Sequence, residues 1–148
     1  APEAGRPSVF ALESLDGTQF HALSPEPVLR PTPNTFDADA IRTVATTSLG
    51  SGVLMAYVGS SFADGVGVGL AYAADGIHFE KHRDNPILRP DPDDLTALGI
   101  SGVALKVEGD TLRVWLTGIS AGVDCDDNTL DVPTQAKLGH VVLRPANR

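Results

Sequence analysis

The sequence predicts an all-β fold built of tandem four-stranded antiparallel units, on three observations: an internal repeat, strand-length apolar runs bounded by turn residues, and the lack of helical periodicity. Residues 16–31, DGTQFHALSPEPVLRP, return as residues 75–90, DGIHFEKHRDNPILRP. This offset of 59 carries Asp16, Gly17, Phe20, Leu29 and Arg30 onto Asp75, Gly76, Phe79, Leu88 and Arg89. It also carries Ile41, Val44, Gly50 and Gly59 onto Ile100, Val103, Gly109 and Gly118, so the repeat includes hydrophobic runs as well as turns. A period of roughly 50 residues with several short strands in each marks stacked or radial β units that cannot bury their faces alone.

Val9–Leu15, Thr43–Leu49, Gly52–Ser60, Val66–Ala73, Gly102–Glu108, Thr111–Ile119 and Leu138–Leu143 are short apolar or alternating runs. Each is bounded by Gly, Pro, Asn or Asp, as strands are. Gly50-Ser51 and Gly109-Asp110 join neighbouring runs at hairpin distance, and Asp16-Gly17 and Asp75-Gly76 supply residues that accept positive φ. No window pairs helical spacing with caps at both ends, and 15 Gly with 11 Pro interrupt most candidates.

Ordered within one period, Ile41–Leu49, Val53–Gly59, Gly65–Ala74 and His78–Lys81 form strands A to D of one propeller-like blade. The N-terminal segment supplies only C and D, and the C-terminal segment A, B and a further C. The expected single domain over 1–148 thus holds repeat copies at about 9–61 and 68–120, a long loop at 121–136 and a last strand at 138–143. About nine strands cannot close a ring that needs at least four blades of about four strands. The incomplete ring leaves unpaired edges at both ends: either neighbouring chains complete each other's blades, which is the expected cover, or the chain is one part of a larger propeller. A sandwich of two facing sheets is the alternative.

A net charge of −8 and a pI near 4.7 exclude nucleic acid and anionic lipid as expected partners, since both are held by Lys and Arg clusters. No apolar run approaches the roughly 20 residues that span a bilayer. One cysteine, Cys125, forms no internal disulfide and is silent on compartment. The opening APEAGRP, without an initiator Met or an apolar segment, fits a mature exported product or a trimmed chain, and the expected location is secreted or periplasmic.

Residues 68–90, VGLAYAADGIHFEKHRDNPILRP, resemble the strand, D-G-x-x-W and NPVL-x-P element of the five-bladed propeller glycosidases and their relatives, the arabinanases, xylosidases, fructosidases and mannoside phosphorylases. Residues 36–59 and 98–118 are similar to the same clan's blade element, whose first strand lines a central funnel. Together the matches cover most of residues 8–120. The resemblance implies three funnel carboxylates on different blades. Only the first copy offers candidates, Asp37 and Asp39, because the 59-residue offset turns them into Thr96 and Leu98. The aromatic of the element is reduced to Phe20 and Phe79, and the usual Pro of strand A to Thr43 or Gly102.

Asp37 and Asp39 are therefore candidate catalytic or sugar-binding carboxylates if they extend strand A and face the same way. The competing expectation is a solvated turn in which one Asp accepts backbone N–H bonds. Asp124, Asp126 and Asn128 in VDCDDNTLD match the first three ligands of a calcium loop, but Thr129 stands for its Gly and Gln135 for its Glu. They remain candidate calcium ligands beside the simpler reading of a solvated acidic loop, and no other cofactor is expected. Arg30 and Arg89 recur in one PxLRP loop, either as structural clamps at blade junctions or as sugar contacts. Trp115 is a candidate sugar platform or a packing residue. The histidines His78 and His82 straddle a strand and its turn, which does not make a zinc pair. GVGVG at 65–69 lacks the third spacing and following helix of a dinucleotide loop. The functional expectation is a noncatalytic carbohydrate-binding or assembly protein, with a glycoside hydrolase or a structural subunit of an extracellular assembly as alternatives.

Overall fold

The computed structural model of the protein describes residues 5–91, 99–121 and 134–143. The described residues are all-β and contain no helix. A first sheet pairs β1 (Leu12–Glu13) with β2 (His21–Ala22). A second has the order β3 (Ala40–Leu49), β4 (Gly52–Ser61), β5 (Gly65–Ala73) and β6 (Glu80–Lys81). A third has the order β7 (Gly99–Glu108), β8 (Thr111–Ala121) and β9 (Thr134–Leu143). All pairings are antiparallel between consecutive strands, as short hairpin turns require. These are the propeller-like blades in the expected C-D, A-B-C-D, A-B-C order.

The 59-residue repeat of the sequence is a repeat of hydrogen bonds. Val9 N–H donates to Leu29 O at 2.9 Å, as Val68 N–H does to Leu88 O at 2.9 Å. Leu23 N–H donates to Ala11 O as His82 N–H does to Leu70 O. Asp16 Oδ1 takes the N–H groups of Thr18 and Gln19, and Asp75 Oδ1 those of Ile77 and His78. These bonds hold both carboxylates well below the usual range; at Asp75 the His78 ring contributes most, and at Asp16 the Gln19 N–H. Gly17 and Gly76 follow at φ 72° and 76°. Both A strands carry a bulge just after Ile41 and Ile100.

Three boundaries differ from expectation. The D strand shrinks from His78–Lys81 to Glu80–Lys81, because the Asp75 turn takes the backbone N–H groups of Ile77 and His78. The run Val9–Leu15 pairs in β1 only at Leu12 and Glu13, with a separate bridge from Val9 to Leu29. The loop expected at 121–136 narrows, since hairpin pairing runs out to Ala121 opposite Thr134.

Two apolar layers join the three sheets. Leu29 and Val9 from the first-sheet side meet Phe36, Ile41, Met55, Tyr57, Ala71 and Phe79 of the second. On the opposite face of the second sheet, Val58, Val68, Ile87 and Leu88 meet Ile100, Val114, Leu116 and Val141 of the third. Strand β7 lies across β3, β4 and β5, and Thr43 Oγ1 donates to Ser101 O at 2.9 Å. The second sheet is thus covered on both faces, unlike a sheet of a two-layer sandwich. This explains why β4, GVLMAYVGSS, is a continuous apolar run and not an alternating one. The glycines of GVGVG serve packing: Phe36 and Pro86 press on Gly67, and the Tyr57 ring lies over Gly69.

A Cβ at Gly69 would come within 2.4 Å of Tyr57 Cζ. Gly69→Ala is therefore expected to cost about 2 kcal/mol, read as a lower urea midpoint with an unchanged m-value.

Candidate functional site

The turn before β3 is built by local polar bonds. Asn34 adopts φ 62°, Thr35 Oγ1 lies 2.8 Å from Thr32 O, and Ala38 N–H donates to Thr35 O at 3.1 Å. This turn folds Asp37 inward until it is fully buried. Its Oδ1 accepts Thr35 Oγ1–H at 2.6 Å and Thr32 N–H at 3.1 Å, and its Oδ2 accepts Lys81 Nζ–H at 2.6 Å. Lys81 spends its other donors on Arg30 O at 2.6 Å and Thr32 Oγ1 at 2.7 Å. Its ammonium also lies 5.7 Å from the Tyr57 ring centre. The Tyr57 hydroxyl accepts from Asn85 Nδ2 at 3.1 Å, and Asn85 closes the network on Leu70 N–H and O.

Burial alone would raise the Asp37 carboxyl, but the Lys81, Thr35 and Thr32 donors outweigh it and hold it below the ordinary value. The same burial, together with the negative charge of Asp37, pushes the Tyr57 phenol far up. Asp37 is thereby an ionised, fully hydrogen-bonded group with both oxygens engaged.

Asp39 serves a different neighbourhood. Its Oδ2 accepts Phe62 N–H at 2.6 Å, while its own N–H donates to Ser60 O at 3.0 Å. It thus ties the start of β3 to the turn between β4 and β5. Beside it lies an open depression of about 400 Å³ lined by Pro7, Asp39, Arg42, Ser60, Phe62 and Val66 among others. Arg42 Nε donates to Ser60 Oγ at 3.2 Å, and the Phe62 ring is wholly exposed. Asp37 and Asp39 are therefore two residues apart in sequence and apart in what they hold.

The remaining predicted residues are dispersed. Arg30 pairs with Glu26 while its carbonyl receives Lys81, and Arg89 Nη1 donates to Asp64 O at 2.9 Å. Trp115 lies on the face of the third sheet turned away from the second and stacks on His140, with ring centres 5.1 Å apart. Asp124, Asp126 and Asn128 lie outside the described residues, and among the described residues no group of three or more His, Cys, Asp or Glu could hold a metal. No helix among the described residues is long and apolar enough to cross a membrane. Sequence reasoning missed Lys81, Arg42 and Phe62. A phenylalanine in the turn SSFADG, where polar residues are the rule, was the available signal for the last.

Removing Lys81 would leave the Asp37 charge buried and uncompensated. Lys81→Met is expected to cost about 3 kcal/mol, the low end for a broken buried pair, because Lys81 keeps 22% of its side chain exposed. A thermal melt reads this as a fall of roughly 8 °C. The folded carboxyl of Asp37 is depressed, so its contribution is complete above the unfolded value of about 3.9 and vanishes as pH falls through the folded value. The stability difference between the wild type and Asp37→Asn should accordingly be flat above pH ~5 and shrink below pH ~4.

No protein-family model and no curated protein matches the chain. Among solved structures it is similar to one described as a complex of BT0996 with RGII, at 14% identity and a TM-score of 0.67. The match covers 91% of this protein and 44% of that one, so the chain spans less than half of that structure's length. The likeness is one of fold: stacked antiparallel sheets in the same arrangement.

Proposed function

We propose that the protein binds carbohydrate without cleaving it, through the depression beside Asp39. The observation that carries this reading is the grouping there of an exposed ring, Phe62, with buried hydroxyl-bearing Ser60 and Ser61 and a carboxylate whose Oδ1 carries no protein donor among the described residues. A few convergent polar groups beside an apolar surface, in a space of some 300–1,000 Å³, are the usual make-up of a small-ligand site. Hydrolysis needs two carboxyl groups about 5–9.5 Å apart with one kept protonated. The ionised, locked state of Asp37 supports a binding role over that one. A secreted or periplasmic location accords with a glycan ligand.

A second reading, assembly through self-association, is favoured by a separate observation. Phe10, Leu12 and Phe20 stand 56%, 58% and 62% exposed on the first sheet, whereas Phe79, the repeat partner of Phe20, packs into the core. Apolar groups of this kind, contiguous on one face, mark interaction surfaces.

A glycan array tests the first reading: retention of the wild type and its loss by roughly tenfold in Phe62→Ala are expected. Retention on no glycan removes it, and turnover of aryl glycosides that disappears in Asp39→Asn replaces it with the hydrolase. Sedimentation tests the second, with concentration-dependent dimers expected from the wild type and monomers from Phe10→Ser/Phe20→Ser.

A further inference from the structure

We infer that the depression beside Asp39 takes an acidic sugar, with the carboxylate of the ligand on Arg42. The inference rests on the carbohydrate-binding reading and adds the class of sugar. It begins from a charge imbalance. In a chain of net charge −8, Arg30, Arg83, Arg89 and Arg113 each hold a carboxylate of the protein. Arg42 does not: among the described residues its polar partner is the neutral Ser60 hydroxyl, reached through Nε, which leaves the Nη1 and Nη2 edge of an exposed guanidinium open. That edge is the half of the fork that matches a carboxylate with two parallel bonds.

The depression also contains the carboxylate of Asp39, which does not pair with Arg42. Its Oδ2 is taken by Phe62 N–H and its Oδ1 is open to a donor from outside. One open cation edge and one open anionic oxygen in the same space set two demands. A bare inorganic anion satisfies Arg42 but brings repulsion to Asp39. A neutral sugar donates hydroxyls to Asp39 but leaves the guanidinium edge unmatched. A uronic acid carries both groups on one ring, a carboxylate for Arg42 and hydroxyl donors for Asp39, and its C–H face suits the exposed ring of Phe62. The backbone bond from Phe62 N–H to Asp39 fixes the turn that carries that ring, so the platform and the hydroxyl acceptor are held as one unit.

The test is an array of neutral and uronic-acid oligosaccharides in which each uronate is also present as its methyl ester, a change that removes the charge and keeps the stereochemistry. Retention on uronates is expected. It should fall roughly tenfold on the esters and in Arg42→Gln, as loss of a charged hydrogen bond implies, recover partly in Arg42→Lys, and weaken in high salt. Retention confined to neutral glycans, or retention on uronates that esterification and Arg42→Gln leave unchanged, overturns the acidic-sugar inference while the carbohydrate reading stands. Retention on no glycan overturns both.

Discussion

The ion pair between Lys81 and Asp37 is the constraint on which the geometry of the described chain depends. Lys81 belongs to β6, the outer strand of the second sheet. Asp37 belongs to the turn that opens β3, and the carbonyl of Arg30 and the hydroxyl of Thr32 belong to the link from the first sheet. A single ammonium therefore joins three segments separated by up to 51 residues. An ion pair in the interior repays its desolvation only when the other lone pairs and protons are also satisfied. Thr35, Thr32 and the face of Tyr57 meet that condition here. With Asp37 fixed, Asp39 emerges two residues later at the surface and reaches the Phe62 turn, so the buried pair sets where the open depression lies.

Both outer faces of the described sheets carry exposed apolar residues, which bears on how they are covered. The second sheet shows Leu54, Ala56 and Val58 to the third. At the 59-residue offset the third sheet carries Arg113, Trp115 and Thr117 on its far face. Beside them on β9, Leu138 and Val142 pair with Thr117 and Arg113 and stand 73% and 40% exposed. The first sheet retains apolar residues, Phe10, Leu12 and Phe20, on its outer face. Apolar surface open to a further sheet or chain is thus present on both outer faces of the described residues.

Much of the architecture was legible because the repeat is carried by residues whose effect is local. Asp-Gly pairs make the same turn wherever they occur, and alternation fixes which face of a strand is covered. Strand order followed from them. The D strand was read too long because the Asp75 side chain competes with the ladder for backbone N–H groups, an outcome that propensity along the run does not encode. The Asp37 carboxylate was recognised as a candidate, but its partner was not. Lys81 is 44 residues away, and no pattern at that spacing announces a salt bridge. Asp39 was legible as a polar residue at a strand entrance. Its bond to Phe62 depends on how β3 and β4 pair, which is a tertiary fact.

The repeat supplies a further criterion for separating scaffold from site. Residues shared by the two copies, such as Asp16 and Asp75 or Leu29 and Leu88, make the same bonds in both. Arg30 and Arg89, although duplicated, both end on partners within the protein. The residues around the depression are not duplicated: Asp39, Arg42, Ser60 and Phe62 correspond to Leu98, Ser101, Ile119 and Ala121. A duplicated sheet requires none of the four, since the third sheet forms its β7–β8 hairpin without them. Water satisfies an exposed arginine and tolerates a single exposed ring, so the signal is their grouping around one depression at positions the scaffold does not need. Departure from internal symmetry therefore points to the place where the molecule does something a bare blade cannot.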